Sequence, residues 1–413
     1  QSPMQRMANA SIEGLISLLS GSSTVHAAPI VDNISRSLGV LLVTKIQDRF
    51  GNTLNYSYNS NGLLTGITAS DGRALSVVYG TVGGSTVEKV LSVTLQPASG
   101  APRTWVYTYG TDNYSLVDVK LPDNTHWQYN ITALQSTILR GGSAFSSCET
   151  LRVPSNLNPI TGTKTHPSGL VGQFTVQGMK HGRSYVPQSC RGMQYGDPNT
   201  GGSYAVFPEA WYSLTTTQVA FSGAGLPTST WSYSYSSPNE SWSTCTGSCP
   251  TTIWTDVLDP NGSTTRHIFS NRFDITESQL VRTEFYAGAS VTSALLRSED
   301  SGYAAPTTSP LPAVAGNSFI SSVNVTQMTK YSPLNRRTIT QDGQHYIWQA
   351  LAFDVYAQPI DVKRYNDIAG QSPLEESTSY LNDTSLWVLG LPETVTNVGT
   401  GGVESSNTYN SLD

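Results

Sequence analysis

Asp48, Asp71, Tyr56, Tyr58 and Tyr79 all fall within DRFGNTLNYSYNSNGLLTGITASDGRALSVVYG, residues 48–80. Carboxylates and phenols grouped this way could form a surface that grips or cleaves a sugar. Six histidines widen the search. His166 and His181 share one segment, with Lys180 and Arg183 beside the latter. A general base needs a carboxylate or nucleophile within hydrogen-bond reach, and no motif supplies one. His126, His267 and His345 adjoin the aromatic runs HWQY, RHIF and HYIW and read as cross-strand partners on a half-buried face. The acid pairs Glu299-Asp300 and Glu375-Glu376 read as solvated charge, because glycosidase carboxylates are not recognisable from adjacency. The sequence has no G-x-S-x-G, no H-E-x-x-H and no Walker loop. GTVGGST (80–86) and GTGGVES (399–405) open no helix that could cradle a phosphate. The expectation is a chain that is not an enzyme and takes no cofactor or metal.

Two residue classes keep other possibilities open. Trp105, Trp127, Trp231, Trp242, Trp254 and Trp348 stand near tyrosines at alternating positions, as aromatic platforms for sugars do. The same aromatics can instead pin strand register through cross-strand pairs worth roughly 0.2–1 kcal/mol each. Register is the stronger reading, because the tyrosines fall at fixed places relative to the turns. A carbohydrate-binding adhesin is the competing one. Four cysteines, Cys148, Cys190, Cys245 and Cys249, permit three pairings. The C-x3-C of STCTGSCP could close a tight loop and leave Cys148 to Cys190, whereas zinc would want different spacing. Disulfides imply an oxidising compartment.

These side chains need strands to carry them. Helical periodicity is almost absent. Short alternating runs recur instead: TLNYSY, ALSVVY, TWVYTY, HWQYNI, TWSYSY, TTRHIF and HYIWQALAF. Between them lie DRFGN, SNG, SDGR, LPDN, DPNG and QDGQ, where positive φ calls for Gly or Asn. Only 13% of residues are charged, against roughly 25% in ordinary soluble chains, and 21 Tyr and 8 Trp accompany abundant small polar residues. The net charge of −6 argues against nucleic acid or an anionic membrane as partner. No apolar run approaches the roughly 18 residues that span a bilayer. Residues 12–19 (IEGLISLL) are apolar, but Glu13 breaks them as a signal core, so 1–43 reads as a lead-in segment. The chain ends on NTYNSLD, inside another strand-turn pattern, as a piece of a longer polypeptide would.

Strand, Gly turn and strand return every 20 or so residues, which is the mark of a repeat architecture. G-N-x-x-x-Y-x-Y-x-x-x-G-x-L-x-x-I-x-x-x-D-G-R at 51–73 resembles the Rhs or YD repeat of bacterial Rhs proteins, toxin-complex shells and teneurins. LPDNTHWQY, DPNGSTTRHIFSNRFD and QDGQHYIWQALAFDVYAQPIDVKRYN resemble diverged copies. The resemblance implies an all-β strip of stacked antiparallel hairpins curving into part of a hollow shell. Such a shell encloses or displays a toxin or effector, or mediates cell–cell contact, in an exported or cell-surface protein. It assigns architecture to Gly51, Asn52, Gly62, Asp71 and Gly72 as turn residues, and to Tyr56, Tyr58 and Tyr79 as register residues. The family's D-P-x-G-L-x-x-G autocleavage motif is absent; DPNG at 259–262 continues as STTRH. The expected partners are the remainder of a larger polypeptide, its cargo or further copies, with cell-surface glycans for the adhesin alternative and a surface filament as another. Five segments follow: lead-in (1–43), repeat hairpins (44–140), a diverged cysteine-containing hairpin insertion (141–205), repeat hairpins (206–300), and a Pro-rich connection with further repeats (301–413).

Overall fold

The computed structural model describes residues 42–112, 115–136, 153–154, 157–186, 209–306, 308–312 and 331–409. Cys148, Cys190, most of the lead-in and much of the Pro-rich connection lie outside them. The fold is all-β, and its chain separates into two units, 44–374 and 1–43 with 375–413.

The alternation seen in the sequence becomes two distinct sheet faces. Strands β1 (Lys45–Gln47), β2 (Thr53–Tyr58), β3 (Leu64–Ala69), β4 (Ala74–Thr81), β5 (Glu88–Gln96), β6 (Arg103–Tyr109), β7 (Leu116–Lys120) and β8 (His126–Asn130) each pair antiparallel with the next. Tyr56, Ile67, Leu75 and Leu95 are directly opposite one another across four strands. Ser57, Gly66, Ser76, Thr94 and Thr104 form the neighbouring row. Side chains alternate along a strand, so the second row faces the other way, and its Thr94 and Thr104 hydroxyls meet at 2.9 Å.

The meander then continues without a crossover. It passes through β9 (Ile160–Thr165), β10 (Leu170–Gly182), β11 (Ala210–Gly223), β12 (Leu226–Tyr235), β13 (Thr252–Leu258) and β14 (Thr264–Ser270). It closes the larger unit with β15 (Leu280–Tyr286), β16 (Leu295–Tyr303), β17 (Leu334–Gln341), β18 (Gln344–Phe353) and β19 (Pro359–Asn366). A five-residue helix, α1 (Thr132–Ser136), follows β8, and Leu134 lies against Gly162. Residues 160–182, in the segment expected to hold a hairpin insertion, form the β9–β10 hairpin, and β9 also pairs with β8. The smaller unit holds β20 (Leu374–Asp383), β21 (Val388–Asn397) and β22 (Val403–Ser406), again paired in sequence order.

A single sheet layer buries little. Among the described residues only nine Ala, Val, Leu and Phe side chains are buried, and four of them, Ala304, Leu311, Ala350 and Phe353, form one small cluster. Stability must therefore come largely from the ladders and from whatever fixes their ends.

Candidate functional site

The end-fixing devices repeat along the seam. Seven connections share one hydrogen-bond pattern: 48–52, 59–63, 69–73, 121–125, 166–170, 259–263 and 354–358. In each, the first residue's N–H donates to the fifth residue's carbonyl, and the fourth residue's N–H donates back to the first carbonyl. The fourth residue has positive φ every time: Gly51, Gly62, Gly72, Asn124, Gly169, Gly262 and Ala357. This is the three-residue hairpin loop closed by a left-handed residue. In four of them an Asp or Asn at the first position also accepts from the second and fourth amides after it. Asp48, Asn59, Asp259 and Asp354 do so at 2.8–3.0 Å. His166 stands in the same place and takes the Ser168 amide on Nδ1 at 3.0 Å, so this histidine is a turn residue. Asp71 accepts from the Arg73 amide at 3.0 Å and pairs with its guanidinium, whose hydrogen bond is the main cause of a lowered Asp71 pKa. The Asn52 side chain similarly holds the Asp48 carboxyl down.

The tyrosines fix the other end of the hairpins. Tyr79 donates its hydroxyl to the Leu64 carbonyl at 3.0 Å, Tyr109 to Val90 at 2.9 Å and Tyr235 to Thr216 at 2.6 Å. Tyr303 donates to Leu280 at 2.9 Å and Tyr409 to Pro392 at 2.7 Å. The last ladder pairs of these five hairpins are Gly66↔Ser76, Ser92↔Val106, Gln218↔Ser232, Arg282↔Asp300 and Thr394↔Ser406. The offset is the same in all five. The tyrosine lies three residues beyond the last pair on its strand, and the acceptor lies two residues before the pair on the other. At that point the strands have parted, and the phenol supplies the donor that the backbone no longer does. Tyr79, Tyr109 and Tyr303 each follow a register shift in the ladder with the next strand, where they pair with Val90, Leu116 and Leu334. Tyr58 also follows such a shift and stands three residues beyond Asn55, which pairs with Lys45. Tyr56 sits in the apolar row already described. In the β13–β14 hairpin the same position is Phe273, a buried ring without a hydroxyl.

The residues that could do chemistry are placed among structural partners. His181 Nε2 lies 2.7 Å from the Thr215 hydroxyl, but this threonine is a nearly buried mid-strand alcohol. No carboxylate bonds the ring's other nitrogen among the described residues. His181 also stacks on Trp211. Lys180 pairs with Glu240, and Arg183 pairs with Glu277 while lying over Trp211 and Phe273. His126 and His345, expected on a half-buried face, are instead exposed and paired with Asp118 at 2.9 Å and Asp367 at 2.6 Å. Each stands at a strand end, where a nearby carboxylate is reachable. His267 is half-buried, with Phe269 beside it. Trp127 carries the Lys164 ammonium at 4.2 Å, so that aromatic platform is already covered by a cation from its own sheet. Cys245 and Cys249 form a disulfide.

Two features escaped sequence reasoning. Residues 183–186 insert as a short parallel strand between 241–243 and 271–273, bridging Ser184 to Arg272 and Val186 to Trp242. Ser184 and Val186 are fully buried there. The second feature is a charge lattice across β13 to β16. Arg266 makes two hydrogen bonds to Asp256, at 2.7 and 2.8 Å, and lies 4.1 Å over Trp254. Arg282 joins Glu284 to Asp300, and Glu299 pairs with Arg297 rather than standing as free charge. Burial pushes the Glu284 carboxyl up, but hydrogen bonds from Tyr286 and Arg282 outweigh it and the net shift is down. Burial first, then the Glu284 hydrogen bond and charge, raise Tyr286 to about 12. General acid catalysis would want the carboxyl raised instead. Arg266→Ala is expected to cost about 2–3 kcal/mol in urea unfolding, through an orphaned Asp256 and a lost cation–π contact. Arg266→Lys should recover less than half, since it cannot make the two-pronged pair.

Burial lowers the pKa of His181 and His267. A histidine held neutral in the fold contributes stability above its unfolded pKa near 6.5 and loses it as pH falls further. The His181→Gln/His267→Gln double variant should therefore show a flatter decline than wild type between about pH 6.5 and pH 5, measured by thermal midpoint.

No protein-family model matches the chain, and no curated protein matches it. Among solved structures, a mutant form of the Photorhabdus luminescens Tc holotoxin pore aligns with 11% identity and a TM-score of 0.36, over 87% of this chain and 16% of that one. A TcdB2-TccC3-TEV crystal structure aligns with 10% identity and a TM-score of 0.13, over 86% of this chain and 22% of that one. The chain spans less than a quarter of either. Superpositions this loose carry no argument about function, which rests on the registers and hydrogen bonds above. Among the described residues no helix is long and apolar enough to cross a membrane.

Proposed function

We propose that this chain is a non-catalytic structural section of an exported or cell-surface Rhs/YD-type protein. It forms part of a β-walled shell around a toxin or other effector, and its partners are the rest of that polypeptide and the enclosed cargo. One observation carries the reading: five tyrosine hydroxyls cap five carbonyls at an identical offset from the ladder. Identical joints repeated along a strip are what a wall of variable length requires, since each repeat needs only its neighbour. The Cys245–Cys249 disulfide agrees with an oxidising compartment. Protease protection of the intact polypeptide tests the proposal. The reading expects an internal cargo segment that resists digestion until the wall is denatured. Digestion of every segment at the rate of an exposed linker would contradict it.

A further inference from the structure

One depression on the larger unit is not absorbed by this reading. It lies on the β17–β18–β19 face, has a volume of about 370 Å³, and is lined by Arg337, Tyr346, Trp348, Arg364 and Ser372 among others. Arg337, Trp348 and Arg364 are direct cross-strand partners, so a single row reads Arg–Trp–Arg. Strands lie about 4.8 Å apart, which sets the two guanidinium-bearing positions on either side of one indole. Trp348 packs on the buried Ala350–Phe353 cluster, which holds the ring, while both arginines are exposed. Tyr346, two residues away and on the same face, is 43% exposed.

We propose that this depression binds a carboxylated sugar, of the uronic or sialic acid class. An indole floor stacks on the apolar face of a pyranose. A guanidinium receives a carboxylate through two parallel hydrogen bonds, and Arg is the residue suited to that geometry. The backbone of all three strands is already committed to the β17–β18 and β18–β19 ladders. An extended peptide would find no main-chain partners there, since strand addition needs a free sheet edge. A ligand recognised by side chains alone fits better.

The test is titration calorimetry on the intact chain with tetragalacturonate and 3′-sialyllactose, against maltotetraose, inorganic sulfate and an acidic peptide. The expected result is binding of at least one acidic sugar at least ten-fold tighter than maltotetraose and sulfate. Arg337→Ala should weaken it a further ten-fold or more without moving the thermal midpoint. Arg337→Gln serves if the alanine variant is unstable. Trp348→Phe should keep the fold and weaken binding by a smaller factor. No binding by wild type, equal binding of neutral sugars, or unchanged affinity in both Arg337 variants would overturn the proposal. Arg337-dependent binding of the acidic peptide in preference to the sugars would overturn it in favour of a protein partner.

Discussion

Replacing Tyr79, Tyr109, Tyr235 and Tyr303 together with phenylalanine is expected to remove about 4–6 kcal/mol of stability. Each substitution keeps the ring and deletes one O–H, leaving the carbonyl of Leu64, Val90, Thr216 or Leu280 without that donor. An unsatisfied, partly buried acceptor costs about 1–1.5 kcal/mol, and separate hairpins contribute nearly additively. Domains of ordinary stability have roughly 5–15 kcal/mol in total, so the quadruple variant should be close to unfolding. The loss should also be local, because each strand of the strip is laddered only to its neighbours in sequence. In Tyr109→Phe alone, amide exchange at the parted end of β5–β6 should rise roughly five- to ten-fold, with β13–β14 unchanged. Phe273 supplies an internal control: Phe273→Tyr at the same offset should stabilise little, since that end is closed instead by the inserted 183–186 segment, whose Ser184 carbonyl accepts from the Phe273 amide. Uniform exchange changes, or none, would show that the hydroxyls do not hold the hairpin ends.

Gly223→Ala carries the second large effect. Gly223 closes the β11–β12 hairpin with φ of +92°, where a side chain is already disfavoured. A Cβ built there would also lie 2.4 Å from the Gly169 carbonyl oxygen, in the adjacent 166–170 turn. The clashing atom is backbone, so it cannot rotate away. The expected cost is at least about 3 kcal/mol, read as a lowered urea midpoint. Gly72→Ala separates the two contributions. It has φ of +88° but nothing within 4 Å of the added Cβ, so only the conformational cost of about 1–2 kcal/mol applies. Comparable losses at both positions would mean that neighbouring turns are not packed as described.

The turn positions were legible because they are local. Positive φ selects Gly or Asn, and Asp48 or Asp259 at the first place announces the loop within five residues. The sheet faces were legible from alternation, as the Tyr56–Ile67–Leu75–Leu95 row illustrates. The tyrosine offset was only partly legible. That tyrosines track the turns is visible in the sequence. That they cap a carbonyl beyond the ladder depends on where pairing stops, which neighbouring strands decide. Positions 337, 348 and 364 have no sequence spacing that brings them together; two registers do so. Residues 183–186 gave no strand signal, since Ser184 and Val186 are buried by chain distant in sequence. Two of the three histidines beside aromatic runs misled: such a place does not decide burial, and His126 and His345 end up paired with aspartates at exposed strand ends, whereas His267 is half-buried as expected.

If the hairpins form one continuous wall fixed by repeated end-caps, as proposed, a side-chain-resolution reconstruction of the intact native protein should reveal it. It should show β1 to β19 as an uninterrupted antiparallel strip bounding an enclosed volume, with the Tyr79, Tyr109, Tyr235 and Tyr303 hydroxyls on the carbonyls of residues 64, 90, 216 and 280. Strands folded back into a compact two-layer sandwich or a set of propeller blades, with those hydroxyls in solvent, would contradict it.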